Sequence, residues 1–218
     1  MLAGLSLSLK GLLMITRLTI VTACMVLVGY RLAVAEEITA EGKKLAESLD
    51  AMNVEHLWEP GRSVAWKTGK LLDKQGEFRK SNTHCSAFVA ATCLKHDVYI
   101  LRPPEHETKN LANAQAEWLA SKKSHESGWK PVKNEAEAQH MANHGHLVVA
   151  AFKEANPERN GHIAIVRPND KSAERVKQEG PQIVQAGATN YNSTSAKEGF
   201  KHHAGAFPDG IKYYVHSK

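Results

Sequence analysis

The architecture of this chain follows from residues 82–96, whose sequence is NTHCSAFVAATCLKH. The alanine-rich part from Cys85 onward has an apolar face, which predicts a helix. A polar run from Ser81 to His84 precedes it, so Cys85 should lie at or next to the helix N-terminus. Unpaired backbone N–H groups and the helix dipole favour negative charge there, and we expect them to lower the pKa of the thiol. Cys85 is therefore a candidate nucleophile.

The second cysteine of this helix, Cys93, is not a disulfide partner for Cys85. Eight helical residues separate the two by about 12 Å, whereas a disulfide requires α-carbons within about 7 Å. Cys93 lies between apolar residues, and we interpret it as a small buried side chain.

Helical patterns precede strand patterns along the chain. Helices are predicted over residues 38–52, over 108–121 and near 134–143. From residue 145 the hydrophobic period changes, and strands are predicted at HLVVAAF (146–152), HIAIVRP (162–168), PQIVQAG (181–187) and IKYYVHSK (211–218). This order predicts an α+β domain in which the Cys85 helix packs on an antiparallel sheet.

The first 35 residues have the features of a signal peptide. Lys10 and Arg17 precede an apolar run, LTIVTACMVLVGY (18–30), which ends before Ala33-Val34-Ala35. We predict cleavage after Ala35, export to the periplasm or medium, and a single domain over 36–218. The run is shorter than the about 20 residues that span a bilayer, so membrane contact is expected through the signal alone. An uncleaved anchor is the alternative, and either Met1 or Met14 is the start.

Net charge argues against a nucleic-acid partner. The chain has 28 basic and 23 acidic residues, a formal charge of +5. Removal of residues 1–35 takes away three basic side chains and lowers this to +2. Phosphate contact needs a clustered positive face, so no nucleic acid is expected.

A thiol nucleophile requires a base, and the base in turn requires a group that orients it. Of the twelve histidines, His162 has the best structural reason, because it follows Gly161 and opens a predicted strand. Gln185 lies on the next predicted strand. If the strands are neighbours, its amide oxygen can accept a hydrogen bond from the His162 ring.

In chain order these elements resemble the papain-like cell-wall cysteine hydrolases, the NlpC-type peptidases and CHAP amidases. In that superfamily the nucleophile begins a helix, a G-D-[LIV]-V-[VF]-type strand follows, and a G-H-[VI]-[AG]-[IV] strand supplies the base. The matching segments are NTHCSAF (82–88), GHLVV (145–149) and GHIAIV (161–166). The resemblance covers roughly residues 80–190 and implies a papain-like fold whose antiparallel sheet has about four to six strands.

Two positions depart from the family pattern. His146 stands where the family often has Asp, and Gln185 stands where it has His, Asn or Glu. The third catalytic residue is therefore Gln185 or Asn190.

The resemblance implies hydrolysis of amide bonds in peptidoglycan stem peptides, by an endopeptidase or an amidase. Cys85 would attack the carbonyl, and His162 would hold the thiolate as an ion pair and then protonate the leaving amine. The Cys85 backbone N–H would stabilise the oxyanion, with Asn82 or the His84 backbone as a second donor. The implied partner is peptidoglycan or a muropeptide, bound by a monomer without cofactor or metal. Candidates for the substrate cleft are Arg102, Trp118 and Trp129.

Two other functions compete with this one. His140, His144 and His146, with His202-His203, suggest a zinc-dependent peptidase, although no glutamate falls within 140–146 as a metalloprotease helix requires. The other is an exported wall-binding domain with a papain-like shell and no catalysis.

Overall fold

A computed structural model describes residues 36–72, 83–107 and 109–217. The predicted signal peptide, its cleavage point and Asn82 lie outside these residues. Within them, no helix combines the length and the apolar character needed to cross a membrane.

Four helices precede the strands that were predicted. They are α1 (Ala40–Asp50), α2 (Cys85–Lys95), α3 (Leu111–Leu119) and α4 (Lys122–Glu126). The rest of the order is β1 (Trp129–Val132), α5 (Glu135–Asn143), β2 (Val148–Phe152), β3 (His162–Val166), α6 (Ala173–Glu179), β4 (Gln182–Ala186), β5 (Asn190–Ser195), α7 (Ala196–Gly199) and β6 (Lys212–His216). The predicted helices and strands are confirmed, with ends that differ by a few residues.

The strands form one open sheet in the order β1-β6-β2-β3-β4-β5, and every pairing is antiparallel. This confirms the α+β class and the antiparallel sheet. Two of the six strands were not predicted. β1 is only four residues long and contains a proline. The sequence of β5, NYNSTS, is polar because this strand lies at the sheet edge, and it therefore lacks the apolar pattern of a strand.

Both faces of the sheet are covered. On one face, apolar side chains of α1, α2 and α3 pack with Ile163, Ile165 and Val149. On the other face, α5, α7 and residues 200–213 pack with Ala164, Val166 and Ile183. β2 and β3 are consequently buried along their whole length, which explains their nearly continuous apolar sequences. The cysteine helix α2 therefore lies on the sheet, as predicted.

Candidate active site

Cys85 is the first residue of α2, as predicted. Its N-cap residue, His84, makes no side-chain hydrogen bond to the helix. The first-turn N–H groups therefore have no side-chain partner from the cap. Cys85 and Cys93 are both free and buried, which confirms that they do not form a disulfide.

The start of α2 lies where β3 and β4 separate. The ladder between these strands includes Ile165–Val184 and Val166–Ile183. Beyond it, the Ala186 carbonyl accepts a hydrogen bond from the His84 backbone N–H at 3.2 Å, and the Ile163 backbone N–H faces Cys85 Sγ. The start of α2 therefore takes hydrogen bonds that the next residue pair of the β3–β4 ladder would otherwise make. It lies beside residues 162–163 of β3 and 185–186 of β4.

Hydrogen-bond donors surround Cys85 Sγ, but burial outweighs them. Burial raises the pKa of the thiol, and the Ile163 N–H, the Thr83 hydroxyl and the Ser86 N–H oppose that rise. Cys85 is 4% exposed. The expectation that the helix terminus lowers this pKa is therefore wrong for the resting protein, because the loss of hydration outweighs the hydrogen bonds to the sulfur.

Gln185 orients His162 as the sequence analysis expected. The Nε2–H of His162 donates to Gln185 Oε1 at 2.8 Å in a buried site. The other end of the amide, Gln185 Nε2, donates to the Thr189 carbonyl at 3.1 Å, which fixes the oxygen toward the ring. With the proton on Nε2, the His162 lone pair is on Nδ1, the nitrogen that is free to act as a base.

The His162 ring lies on the face of the sheet that packs with α5, α7 and residues 200–213, opposite the face covered by α2. Its edge-to-face partner is Phe200, with ring centroids 4.6 Å apart, and His203 stacks on it at 5.0 Å. Burial lowers the pKa of His162 to about 4, although the Gln185 hydrogen bond opposes the shift. His162 is therefore neutral near pH 7.

The thiolate–imidazolium ion pair expected from the sequence is not formed. Neighbouring strand residues point to opposite faces, so Ile163 packs with Cys85 whereas His162 packs with Phe200. Within the described residues, no hydrogen bond joins Cys85 and His162. The backbone N–H of Ile163, the residue after His162, contacts the sulfur of Cys85. The thiol and the imidazole are both uncharged.

Two secondary candidates have other roles. The His84 backbone N–H donates to the Ala186 carbonyl, and its ring Nε2 contacts the Arg62 carbonyl at 2.9 Å. That N–H is therefore already engaged, and Asn82, the other candidate for the second oxyanion donor, lies outside the described residues. Asn190 Nδ2 donates to the carbonyls of Val54, Leu57 and Trp58. Asn190 therefore ties β5 to the segment after α1, and of the two candidates for the third catalytic residue Gln185 is the one that contacts the imidazole.

The three residues expected to bind substrate gather around Tyr99. Trp129 is fully buried, and its Nε1–H donates to the Tyr99 carbonyl at 2.8 Å. Trp118 packs edge-on against the Tyr99 ring, and Arg102 lies over the same ring. The charge of Arg102 also opposes the rise in the pKa of Cys93 that burial causes. Trp129 is therefore a core residue, and substrate binding by Arg102 and Trp118 stays a prediction.

Several site residues were not found from the sequence. Thr83 and the Ile163 backbone contact the sulfur, and Phe200 and His203 contact the imidazole. Thr83 belongs to the polar run from Ser81 to His84 that precedes Cys85. His203 belongs to a histidine pair that was noted only as a potential metal ligand, and nothing in its local sequence indicates stacking on a strand 40 residues earlier.

The histidines considered for zinc are only partly brought together. In the described part of the chain, potential ligand atoms of Glu36, His140 and His144 meet within 4.8 Å of one another, and His146, His202 and His203 do not join them. A metalloprotease helix would carry its own glutamate; here the carboxylate next to His140 and His144 comes from Glu36, before α1.

No family model matches the sequence, and no curated protein matches it either.

Proposed function

We propose that this protein is an exported papain-like cysteine hydrolase that cleaves amide bonds in peptidoglycan stem peptides. Cys85 is the nucleophile, His162 the general base and acid, and Gln185 the group that orients the base. The observation that carries the proposal is the His162 Nε2–H to Gln185 Oε1 hydrogen bond. It leaves the lone pair on Nδ1, one peptide away from the N–H that faces Cys85 Sγ.

The reaction starts from a neutral thiol and a neutral imidazole. His162 Nδ1 takes the thiol proton as Sγ attacks the amide carbonyl, and the carbonyl oxygen gains the negative charge. Collapse of this intermediate breaks the C–N bond, and the imidazolium gives its proton to the leaving amine. Water then hydrolyses the thioester with His162 again as base, which restores the thiol.

Substrate binding must complete the geometry of this pair. In the resting protein Sγ faces a backbone N–H, and the imidazole packs on Phe200. Catalytic hydrogen bonds are often long or misaligned without substrate. The proposal therefore requires that Nδ1 reach Sγ when the substrate binds. The donors around the sulfur, Ser86 N–H and Ile163 N–H, are the oxyanion donors that the site offers.

The substrate class rests on the resemblance of the three motifs and on the signal-peptide pattern. A cysteine hydrolase that acts on a different extracytoplasmic amide substrate would use the same chemistry. Peptidoglycan is the choice that the family resemblance favours.

One observation favours a second function, a wall-binding domain without catalysis. Both Cys85 and His162 are nearly inaccessible and electrically neutral in the resting protein, which is how two structural core residues would look. Such a domain would bind sacculi without releasing fragments from them.

Digestion of purified sacculi distinguishes these functions. The protein, Cys85→Ala and the control Cys93→Ala are incubated with sacculi, and mass spectrometry identifies the released fragments. We expect Cys85→Ala to fold normally and to lose about 10³-fold or more of the release rate. Cys93→Ala removes the other buried thiol of α2 and should retain release. Release by Cys85→Ala at the normal rate, or binding without release by the unaltered protein, would overturn the proposal.

A further inference from the structure

The end of α5 and the segment before α1 place two imidazoles and one carboxylate together. His140 and His144 are one helical turn apart, and their ring centroids are 4.2 Å from each other. The carboxylate of Glu36 contacts His140 Nδ1. The potential ligand atoms of all three residues lie within 4.8 Å of one another. The cluster joins parts of the chain 104 residues apart.

From this cluster we infer that Glu36, His140 and His144 form a binding site for a divalent transition-metal ion such as Zn²⁺. Two nitrogens and one carboxylate oxygen are a ligand set that zinc accepts, with water in the fourth position. Donor atoms around a tetrahedral zinc lie roughly 3.3 Å apart. Small rotations of these accessible side chains are therefore enough to close the site.

His144 and Glu36 each make a further hydrogen bond that orients the atom available to the metal. His144 Nδ1–H donates to the His140 carbonyl at 2.9 Å, which leaves the lone pair on Nε2. Asn143 Nδ2 donates to Glu36 Oε2 at 3.4 Å, while Oε1 faces His140. A backbone carbonyl behind a histidine and an amide behind a carboxylate are the outer contacts that hold metal ligands in place.

The position of the cluster also suits a cation. His140 lies in the last turn of α5 and His144 is its C-cap residue, where the helix dipole favours positive charge. The segment before α1 is already held there, because the Thr39 backbone N–H and hydroxyl both donate to the Asn143 carbonyl at 3.1 Å. Side chains of His140 and Glu36 are 51% and 36% exposed, so a hydrated ion can enter.

The consequence of metal binding is a tie between the start of the described chain and α5. The ion would bridge Glu36 to both histidines in the folded protein, whereas the unfolded chain does not hold these residues together. Binding to the folded state alone raises stability by mass action. This role is independent of the hydrolysis proposed for Cys85, and no catalytic step involves the ion.

Zinc titration tests the site directly. The protein, produced without a polyhistidine tag, is titrated with ZnCl₂ by calorimetry, and its unfolding temperature is recorded with and without one equivalent of Zn²⁺. We expect one ion per chain and a higher unfolding temperature. His144→Ala and Glu36→Gln should each weaken binding by about tenfold or more. The control His146→Ala removes a neighbouring histidine outside the cluster and should bind zinc as the unaltered protein does.

Cobalt substitution identifies the ligand atoms. Co²⁺ bound by nitrogen and oxygen gives visible d–d bands without the intense near-ultraviolet charge-transfer band of a cobalt–thiolate bond, so Cys85 and Cys93 are distinguished from the histidines. Failure to bind one Zn²⁺, a thiolate band with Co²⁺, or equal affinity in either ligand variant and the unaltered protein would overturn the site. None of these outcomes bears on release of fragments from sacculi.

Discussion

Cys85 and His162 are both uncharged in the resting protein, each because it is buried. Burial lowers the pKa of the imidazole to about 4 and raises the pKa of the thiol. Both shifts favour the uncharged forms, and a thiol is a much weaker nucleophile than a thiolate. The proposed mechanism therefore requires the substrate to bring base and thiol together, and in this it differs from a permanently ionised cysteine–histidine pair.

The same burial makes stability depend on pH. His162 and His203 stack on each other, and burial lowers the pKa of both to about 4. The unfolded chain binds these protons near pH 6.5, so the folded state loses stability as pH falls from about 6.5 to 4. For His162 alone the loss is about 3 kcal/mol at most. Urea unfolding at pH 7, 6 and 5 measures it.

His203→Gln should reduce the slope of stability against pH, because one of the two stacked rings no longer titrates. The same substitution at the exposed His125 is the control for removal of a histidine in itself. A slope that is identical in His203→Gln and the unaltered protein would contradict this explanation.

Gln185 and Asn190, the two alternatives for the third catalytic residue, should differ in their effects. Gln185→Ala removes the acceptor for His162 Nε2–H and should lower the rate of fragment release, but less than His162→Ala does. Asn190→Ala removes three hydrogen bonds to residues 54–58 and should lower stability with little change in rate. Initial release rates and urea midpoints check both. An unchanged rate in Gln185→Ala would contradict its role as orienting residue.

Among the secondary-structure elements, the short helix α7 packs against the side chain of Gln185 through Gly199. A Cβ atom at Gly199 would lie 2.6 Å from Gln185 Oε1 and 2.5 Å from Ile183 Cδ1. The absence of a side chain at Gly199 is what lets Gln185 reach His162. The backbone of Gly199 is helical, so alanine is acceptable to the helix itself.

Gly199→Ala should therefore displace the Gln185 amide and reduce the rate by about tenfold or more, since small displacements of catalytic groups have large effects. Lys197→Ala, an exposed change in the same helix, is the control and should leave the rate unchanged. The measurement is initial release from sacculi, with circular dichroism to confirm folding. Equal rates in the two variants would show that the packing of Gly199 does not matter to the site.

Sequence patterns predicted the elements better than their contacts. The Cys85 helix and the His162 strand follow from local composition and period, whereas the adjacency of β3 and β4 was only a condition of the argument and is shown by the structure. The face on which His162 lies does not follow from local composition, because it depends on which residues of β3 meet α2. Ile163 and Ile165 are larger and more apolar than His162 and Ala164, and they occupy the core under α2. Trp129 was misassigned for a similar reason, since its only polar atom finds a backbone partner inside the core.

For the molecule as a whole, one polar cluster joins the end of α1 to the residue after β3 and to the edge strand β5. Arg167 donates through both terminal nitrogens to the carboxylate of Asp50, at 2.5 and 3.0 Å, and Asn192 donates to the same carboxylate. The Arg167 hydrogen bond lowers the pKa of Asp50, against the effect of burial. Its partners are separated by more than 110 residues, so no local pattern predicts it.

Asp50→Asn should lower the free energy of unfolding by about 0.5–1 kcal/mol at pH 7, a modest value because the carboxylate is partly in solvent. A lowered folded-state pKa gives stability that is present above the unfolded-state value near 3.9 and is lost as pH falls through the folded-state value. The difference between variant and unaltered protein should therefore vanish at low pH. Urea unfolding at pH 7 and pH 3 checks this, with the exposed Asp170→Asn as control. A difference as large at pH 3 as at pH 7 would contradict a role for this ion pair.

The most direct test of the central claim follows the Cys85 thiol and the activity in the same sample. The protein is treated with iodoacetamide, peptide mapping gives the fraction of Cys85 alkylated at each time, and release from sacculi is measured in parallel. We predict that activity falls in proportion to Cys85 modification and that a metal chelator leaves it unchanged. Full release by protein whose Cys85 is completely alkylated would contradict the proposal that this sulfur is the nucleophile.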